Sequence, residues 1–292
     1  MKLKDALGNR KFVVTSEVQT PLGEDSPEQL VDRLKRIRGR VDGVTVSDVD
    51  LEGVVGDSIH TCELLQRNRF NAIYQTTTRD KNRIQLQKDL ALAHQSGIEN
   101  LLVFTEDYRI TGDSVQEQMF FHVDAGKLSS VLEHIRDGRA IDGERLPEPI
   151  DFTLGSGIES LWGKKVPKQG MEGMETLKLM GAGYFLTTPI FDLEQFEKFM
   201  RQIKTLDVPV IAEVLLLRNA AMARFINRHF KPGLVPEWVI QKLDSAPDKH
   251  KASIELFGDL ARGLKEICSG LHIITLGGED KLQPYLDAAN LR

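Results

Sequence analysis

Short β-branched runs recur along the chain at intervals filled by helical patterns. Eight runs read as strands: Phe12–Val18 (FVVTSEV), Gly43–Ser47, Ala72–Thr77, Asn100–Thr105, Asp151–Gly155, Gly183–Thr187, Val208–Val214 (VPVIAEV) and Gly270–Leu276. Between them lie amphipathic stretches at Ser26–Arg38, Arg83–Ser96, Ala125–Asp137, Met171–Met180, Leu193–Thr205, Arg218–Arg228 and Lys249–Ser269. Ser58–Gln66 supplies a helix for the less clearly patterned second crossover. Such alternation signals repeated βα units and a parallel sheet. Local punctuation agrees: Ser26 before Pro27 and Glu28 reads as an N-cap, and Gly97 after Ser96 as a helix stop.

Eight strands with intervening helices suit closure into an α/β barrel, (β/α)8, with residues 1–292 forming one domain. A doubly wound nucleotide fold needs a glycine-rich first turn, but Gln19-Thr20-Pro21-Leu22-Gly23 follows the first strand and no P-loop pattern occurs. Two long excursions, Glu106–Val123 and Gly155–Gly170, follow strand carboxyl ends, where barrels build ligand sites. The stretch Gly138–Pro149 precedes a strand and reads as a solvated turn on the opposite face.

Composition narrows the partners. With 38 basic and 43 acidic residues the net charge is −5, which argues against a nucleic-acid or anionic-membrane surface and favours a small ligand. Cys62 and Cys268 are the only cysteines and have no metal-ligand spacing, so they are expected as buried thiols in a reducing cytoplasm. No apolar run is long enough to cross a membrane. No dense His or Asp constellation predicts a metal, although Asp48, Asp50, Glu106 and Asp107 gather after strands two and four.

Glu17 interrupts an otherwise apolar and hydroxyl-bearing first strand. A carboxyl at a barrel interior loses hydration, a condition under which a general acid keeps its proton; a solvated strand-end charge, or a partner for a buried arginine, is the alternative. The polar run Gln75-Thr76-Thr77-Thr78-Arg79-Asp80-Lys81-Asn82 joins a strand end to a helix start, suiting ligand contact, with Asp80 or Asn82 as N-cap. Thr187-Thr188-Pro189-Ile190-Phe191-Asp192 ends the sixth strand similarly, Asp192 serving as a cap while Thr188 and Phe191 offer a hydroxyl and a ring.

These stretches, with Gly97-Ile98-Glu99-Asn100-Leu101-Leu102, Thr111-Gly112-Asp113, Gly181-Ala182-Gly183-Tyr184-Phe185-Leu186-Thr187 and Gly270-Leu271-His272, resemble the methylenetetrahydrofolate reductase family. The resemblance runs along most of the chain. It implies a flavin-dependent barrel that passes hydride to the one-carbon bridge of 5,10-methylenetetrahydrofolate, giving 5-methyltetrahydrofolate. By that resemblance Glu17 is the acid that opens the bridged ring, and Asp107 stabilises developing positive charge. FAD, or FMN in its place, would lie along Thr45, Gln75, Thr77, Arg79, Thr105, Glu106 and Asp107. The folate would meet Glu17, Gln19, Thr188 and Phe191. Implied partners are an electron donor, NAD(P)H or a redox subunit, and either further copies of the chain or a methyltransferase-type subunit.

Departures from the family pattern are specific. Glu106 stands where a glycine approaches the cofactor, Thr188 replaces an amide, and Leu177 stands where many members carry a basic residue. The aromatic and histidine pair after the fifth strand is not evident in Gly155–Trp162. They motivate a second expectation, a folate-binding or accessory subunit of a methyl-transfer assembly that lacks hydride transfer.

Overall fold

The computed structural model describes residues 2–9, 11–20, 26–47, 57–78, 81–104, 125–158, 165–229 and 233–291. Eight parallel strands close in sequence order into a barrel: β1 (Val13–Gln19), β2 (Gly43–Ser47), β3 (Ala72–Thr77), β4 (Asn100–Phe104), β5 (Thr153–Gly157), β6 (Ala182–Pro189), β7 (Val210–Leu215) and β8 (Gly270–Ile274). The helices described around it are α1 (Leu3–Gly8), α2 (Pro27–Leu34), α3 (Ser58–Arg67), α4 (Arg83–Gln95), α5 (Ala125–Arg136), α6 (Lys168–Leu179), α7 (Leu193–Ile203), α8 (Ala220–His229), α9 (Glu237–Ser245), α10 (Lys249–Leu264) and α11 (Leu282–Ala288).

The eight strands expected from the residue pattern are all present. Three helices were not expected: α1, α9 and α11. The fifth strand begins two residues later than expected, at Thr153, whose amide donates to the Glu99 carbonyl at 2.8 Å, while Asp151 before it pairs with Arg136 and Lys4. The last large helix stops at Leu264 instead of running to Ser269. There the chain turns, and the Ser269 amide already pairs with the Val210 carbonyl at the sheet.

Expected caps are in place. The Ser26 hydroxyl accepts from the Gln29 amide while the Gln29 side chain accepts from the Ser26 amide, closing a capping box on α2. Asn82 and Asp192 cap α4 and α7 in the same way. Gly97 ends α4 with φ +77°, a conformation that glycine adopts without strain. The Gly138–Pro149 stretch holds an antiparallel bridge between Arg139 and Arg145 on its way into β5.

Strand alternation divides the core in two. Outward residues such as Val14, Val44, Tyr74, Leu101, Phe185 and Ile273 pack against the helices. Inward residues Val13, Ile73, Leu102, Tyr184, Leu186 and Ile211 fill the barrel together with Leu3, Ala6 and Leu7 of α1. Lys2 and Lys4 of this N-terminal segment pair with Glu99 and Asp151, residues that precede β4 and β5. Helix α1 therefore closes the amino-terminal end of the barrel with apolar side chains. The opposite end is left for polar ones.

Candidate active site

Above the apolar plug the interior changes character. Continuing the inward alternation, β1 presents Thr15, Glu17 and Gln19, β2 presents Thr45, β3 presents Gln75 and Thr77, β7 presents Glu213 and β8 presents His272. Backbone register makes Thr45 the neighbour of Glu17 on one side and Ile274 its neighbour on the other. Thr15 and Glu213 flank His272 in the same manner. A polar layer thus occupies the carboxyl-terminal half of the barrel, the end at which barrels of this kind bind ligands.

Space for this layer comes partly from glycine. A side chain at Gly155 would run into the Tyr184 ring, and one at Gly157 into Phe104. The β5 wall is thereby covered by aromatic rings from neighbouring strands.

Glu17 keeps 20% of its side chain exposed, and its Oε2 lies 3.9 Å from Nε2 of His272, which is almost wholly buried. The other ring nitrogen, Nδ1, is 2.8 Å from the Thr15 hydroxyl, so the imidazole is held with Nε2 toward Glu17. Nε2 and the Tyr184 hydroxyl are buried without a hydrogen-bond partner among the described residues. Buried polar atoms in that state are uncommon and point to a ligand, ion or water as their complement.

Among the described acids Glu213 is strongly perturbed. Burial pushes its carboxyl well above the usual glutamate range, and the nearby Glu17 charge pushes in the same direction. Its backbone is held by the Thr187 hydroxyl, which accepts from the Glu213 amide at 3.2 Å and donates to the Thr188 carbonyl at 2.9 Å.

The structure brings Glu17, Gln19, Thr45, Gln75 and Thr77 to one side of the mouth, on three adjacent strands. Thr188 is buried beside Pro189, the register partner of Glu213. Phe191 packs with Leu215 and Leu217 and lines a cavity of about 420 Å3 with Trp238, Leu256 and Leu260. Arg79, Thr105, Glu106 and Asp107 lie outside the described residues, as do Asp48, Asp50 and the Glu106–Val123 excursion. Glu213 and Thr15 were not singled out from the sequence, and Tyr184 and His272 only as parts of longer stretches. A signal for Glu213 was present, because VPVIAEV breaks its apolar run with a glutamate in the same way as FVVTSEV.

The residue pattern noted in the sequence extends over nearly the whole chain: the sequence model of the methylenetetrahydrofolate reductase family matches residues 2–289. The chain belongs to this family. Comparison with curated proteins finds no match. Among solved structures, an uncharacterized protein from Clostridium thermocellum, described as binding two copies of 5-methyl-5,6,7,8-tetrahydrofolic acid, aligns with TM-score 0.61 and 15% identity, over 98% of this chain and 97% of that one. A 2,3-dimethylmalate lyase aligns with TM-score 0.54 and 13% identity, over 99% of this chain and 84% of the other. Tryptophan synthase from M. tuberculosis aligns with TM-score 0.54 and 11% identity, over 99% and 96%. At such identities these likenesses establish the barrel fold and nothing finer.

Of the departures from the family pattern, Thr188 is the buried residue beside Pro189, and Leu177 with its neighbour Lys178 can also be located. Leu177 is buried in the layer between helix and barrel, and Lys178 donates to the Leu206 carbonyl at 2.6 Å. Among the described residues no three His, Cys, Asp or Glu side chains are grouped to hold a metal ion, and no helix is long and apolar enough to cross a membrane.

Proposed function

We propose that the barrel mouth binds a folate and reduces 5,10-methylenetetrahydrofolate to 5-methyltetrahydrofolate, with Glu17 as the general acid. The observation that carries this reading is the position of Glu17: partly dehydrated, inward-facing, in the carboxyl-terminal half of β1, with an imidazole behind it. Family membership supports the reaction class. The printed ligand of the similar Clostridium thermocellum protein supports the folate.

A flavin, FAD or FMN, would supply the hydride when bound. Thr45, Gln75 and Thr77 form a hydroxyl and amide wall that suits the polar edge of such a ring, and Arg79, Thr105, Glu106 and Asp107 would complete its site. Glu17 is placed to protonate a ring nitrogen of the folate, which opens the one-carbon bridge. Asp107 would stabilise the positive charge that results. Gln19 and Thr188 flank the folate, and Phe191 is assigned to the outer rim. Cys62 and Cys268 are free thiols, which suits action in a reducing compartment such as the cytoplasm.

Purified protein titrated with FAD or FMN gains a flavin absorption band on this reading, and Glu17→Gln keeps that band while folate reduction falls about 100-fold or more. Unchanged turnover in Glu17→Gln removes the acid role. The second reading is a folate-binding accessory subunit without hydride transfer, working beside a methyltransferase-type partner. Leu177 and Lys178 favour it, since neither offers a free cation to a cofactor phosphate. Folate binding measured by calorimetry with no flavin uptake selects this second reading.

A further inference from the structure

Glu213 occupies β7 much as Glu17 occupies β1, but deeper, with 5% exposure. Strand β8 lies between β7 and β1, and its His272 is the register partner of Glu213 while approaching Glu17 to 3.9 Å. On the other flank β6 turns the Tyr184 hydroxyl into the interior. Among the described residues, Glu17 and His272 are the titratable groups placed toward Glu213 on the strands beside it. Among the described residues no lysine or arginine reaches its carboxyl, and the only charge acting on it is that of Glu17. An unpaired buried carboxylate is expensive, and two ionised carboxylates sharing a low-dielectric site are more so.

We propose that Glu213 is a positioning residue for Glu17, a neutral carboxylic acid inside the barrel that confines the single negative charge of the pair to Glu17. The inference rests on the reading of Glu17 as the acid. Glu17 takes up a solvent proton as the ligand binds and then gives it to a ligand nitrogen, so that the O–H bond of Glu17 breaks and an N–H bond forms. The charge left behind sits on the carboxylate nearer solvent and His272. Glu213 keeps its proton throughout, and no electron moves. The arrangement directs ionisation to the carboxyl that meets the ligand.

Infrared spectroscopy of the ligand-free protein tests this without requiring activity. At neutral pH the wild type shows a protonated-carboxyl stretch that disappears in Glu213→Gln. In Glu17→Gln the band persists but titrates at lower pH, because the neighbouring charge is gone. Absence of the band in wild type, its survival in Glu213→Gln, or an identical titration with and without Glu17 overturns the proposal. If Glu213→Gln does not fold, the Glu17→Gln titration decides alone. Tetrahydrofolate affinity against pH supplies the second readout: Glu213→Gln displaces the profile, about tenfold in affinity for each unit of displacement on its sloping limb, and an unmoved profile counts against coupling. A wild type that binds no tetrahydrofolate at any pH defeats the proposed function, while the infrared result still judges Glu213.

Discussion

Burial raises the Glu213 carboxyl above the range of an unfolded glutamate, and this links stability to pH. Burial is the larger cause and the Glu17 charge the smaller, both raising the carboxyl from its ordinary value of 4.5. Below that value folded and unfolded chains are both protonated and the contribution to stability is whole. As pH rises from there to the raised native value, the native state binds more protons than the unfolded one, so stability falls. Denaturant midpoints measured across this window should decline less steeply for Glu213→Gln than for wild type. The difference reaches at most about 1.4 kcal/mol per pH unit for one proton. Equal slopes would mean that Glu213 is ionised in the native protein. The site was half legible at this scale. Glu17 shows itself as a charge inside an apolar run, and Glu213 carries the same mark. Their meeting through His272 depends on which strands flank β8, and closure of the barrel decides that. Composition along the chain does not contain it.

Among the elements, α1 shows how the two ends of the barrel divide their work. Leu3, Ala6 and Leu7 recur at helical spacing and reach Val13, Ile73 and Ile211 inside the barrel. Leu3 is fully buried, and Leu3→Ala is expected to destabilise the protein by about 2–5 kcal/mol. Tetrahydrofolate affinity should stay unchanged, because the ligand end lies opposite. Thermal unfolding with parallel binding measurements checks both, and weakened binding at unchanged stability would place α1 in the site. The strands and long helices were readable because periodicity accumulates over many residues. Helices α1, α9 and α11 were not, being short elements of 6, 9 and 7 residues whose few apolar positions gain meaning only from the surface they cover. Glycine 155 and 157 illustrate the same limit. From the sequence Gly155 ends the expected fifth strand and Gly157 falls in the excursion after it, whereas in the barrel both make room for Tyr184 and Phe104.

At the scale of the whole molecule, the described residues form an apolar plug at one end of the barrel and a polar layer at the other. Family membership and the inward acids converge on that polar layer, and the folate reading stands or falls there. A crystal structure of the protein grown with 5-methyltetrahydrofolate is the most direct test. The pterin ring is expected at the carboxyl ends of the strands, with a ring nitrogen within hydrogen-bond distance of the Glu17 carboxyl. A folate bound only outside the barrel mouth, or a mouth left without ligand at saturating concentration, would contradict it.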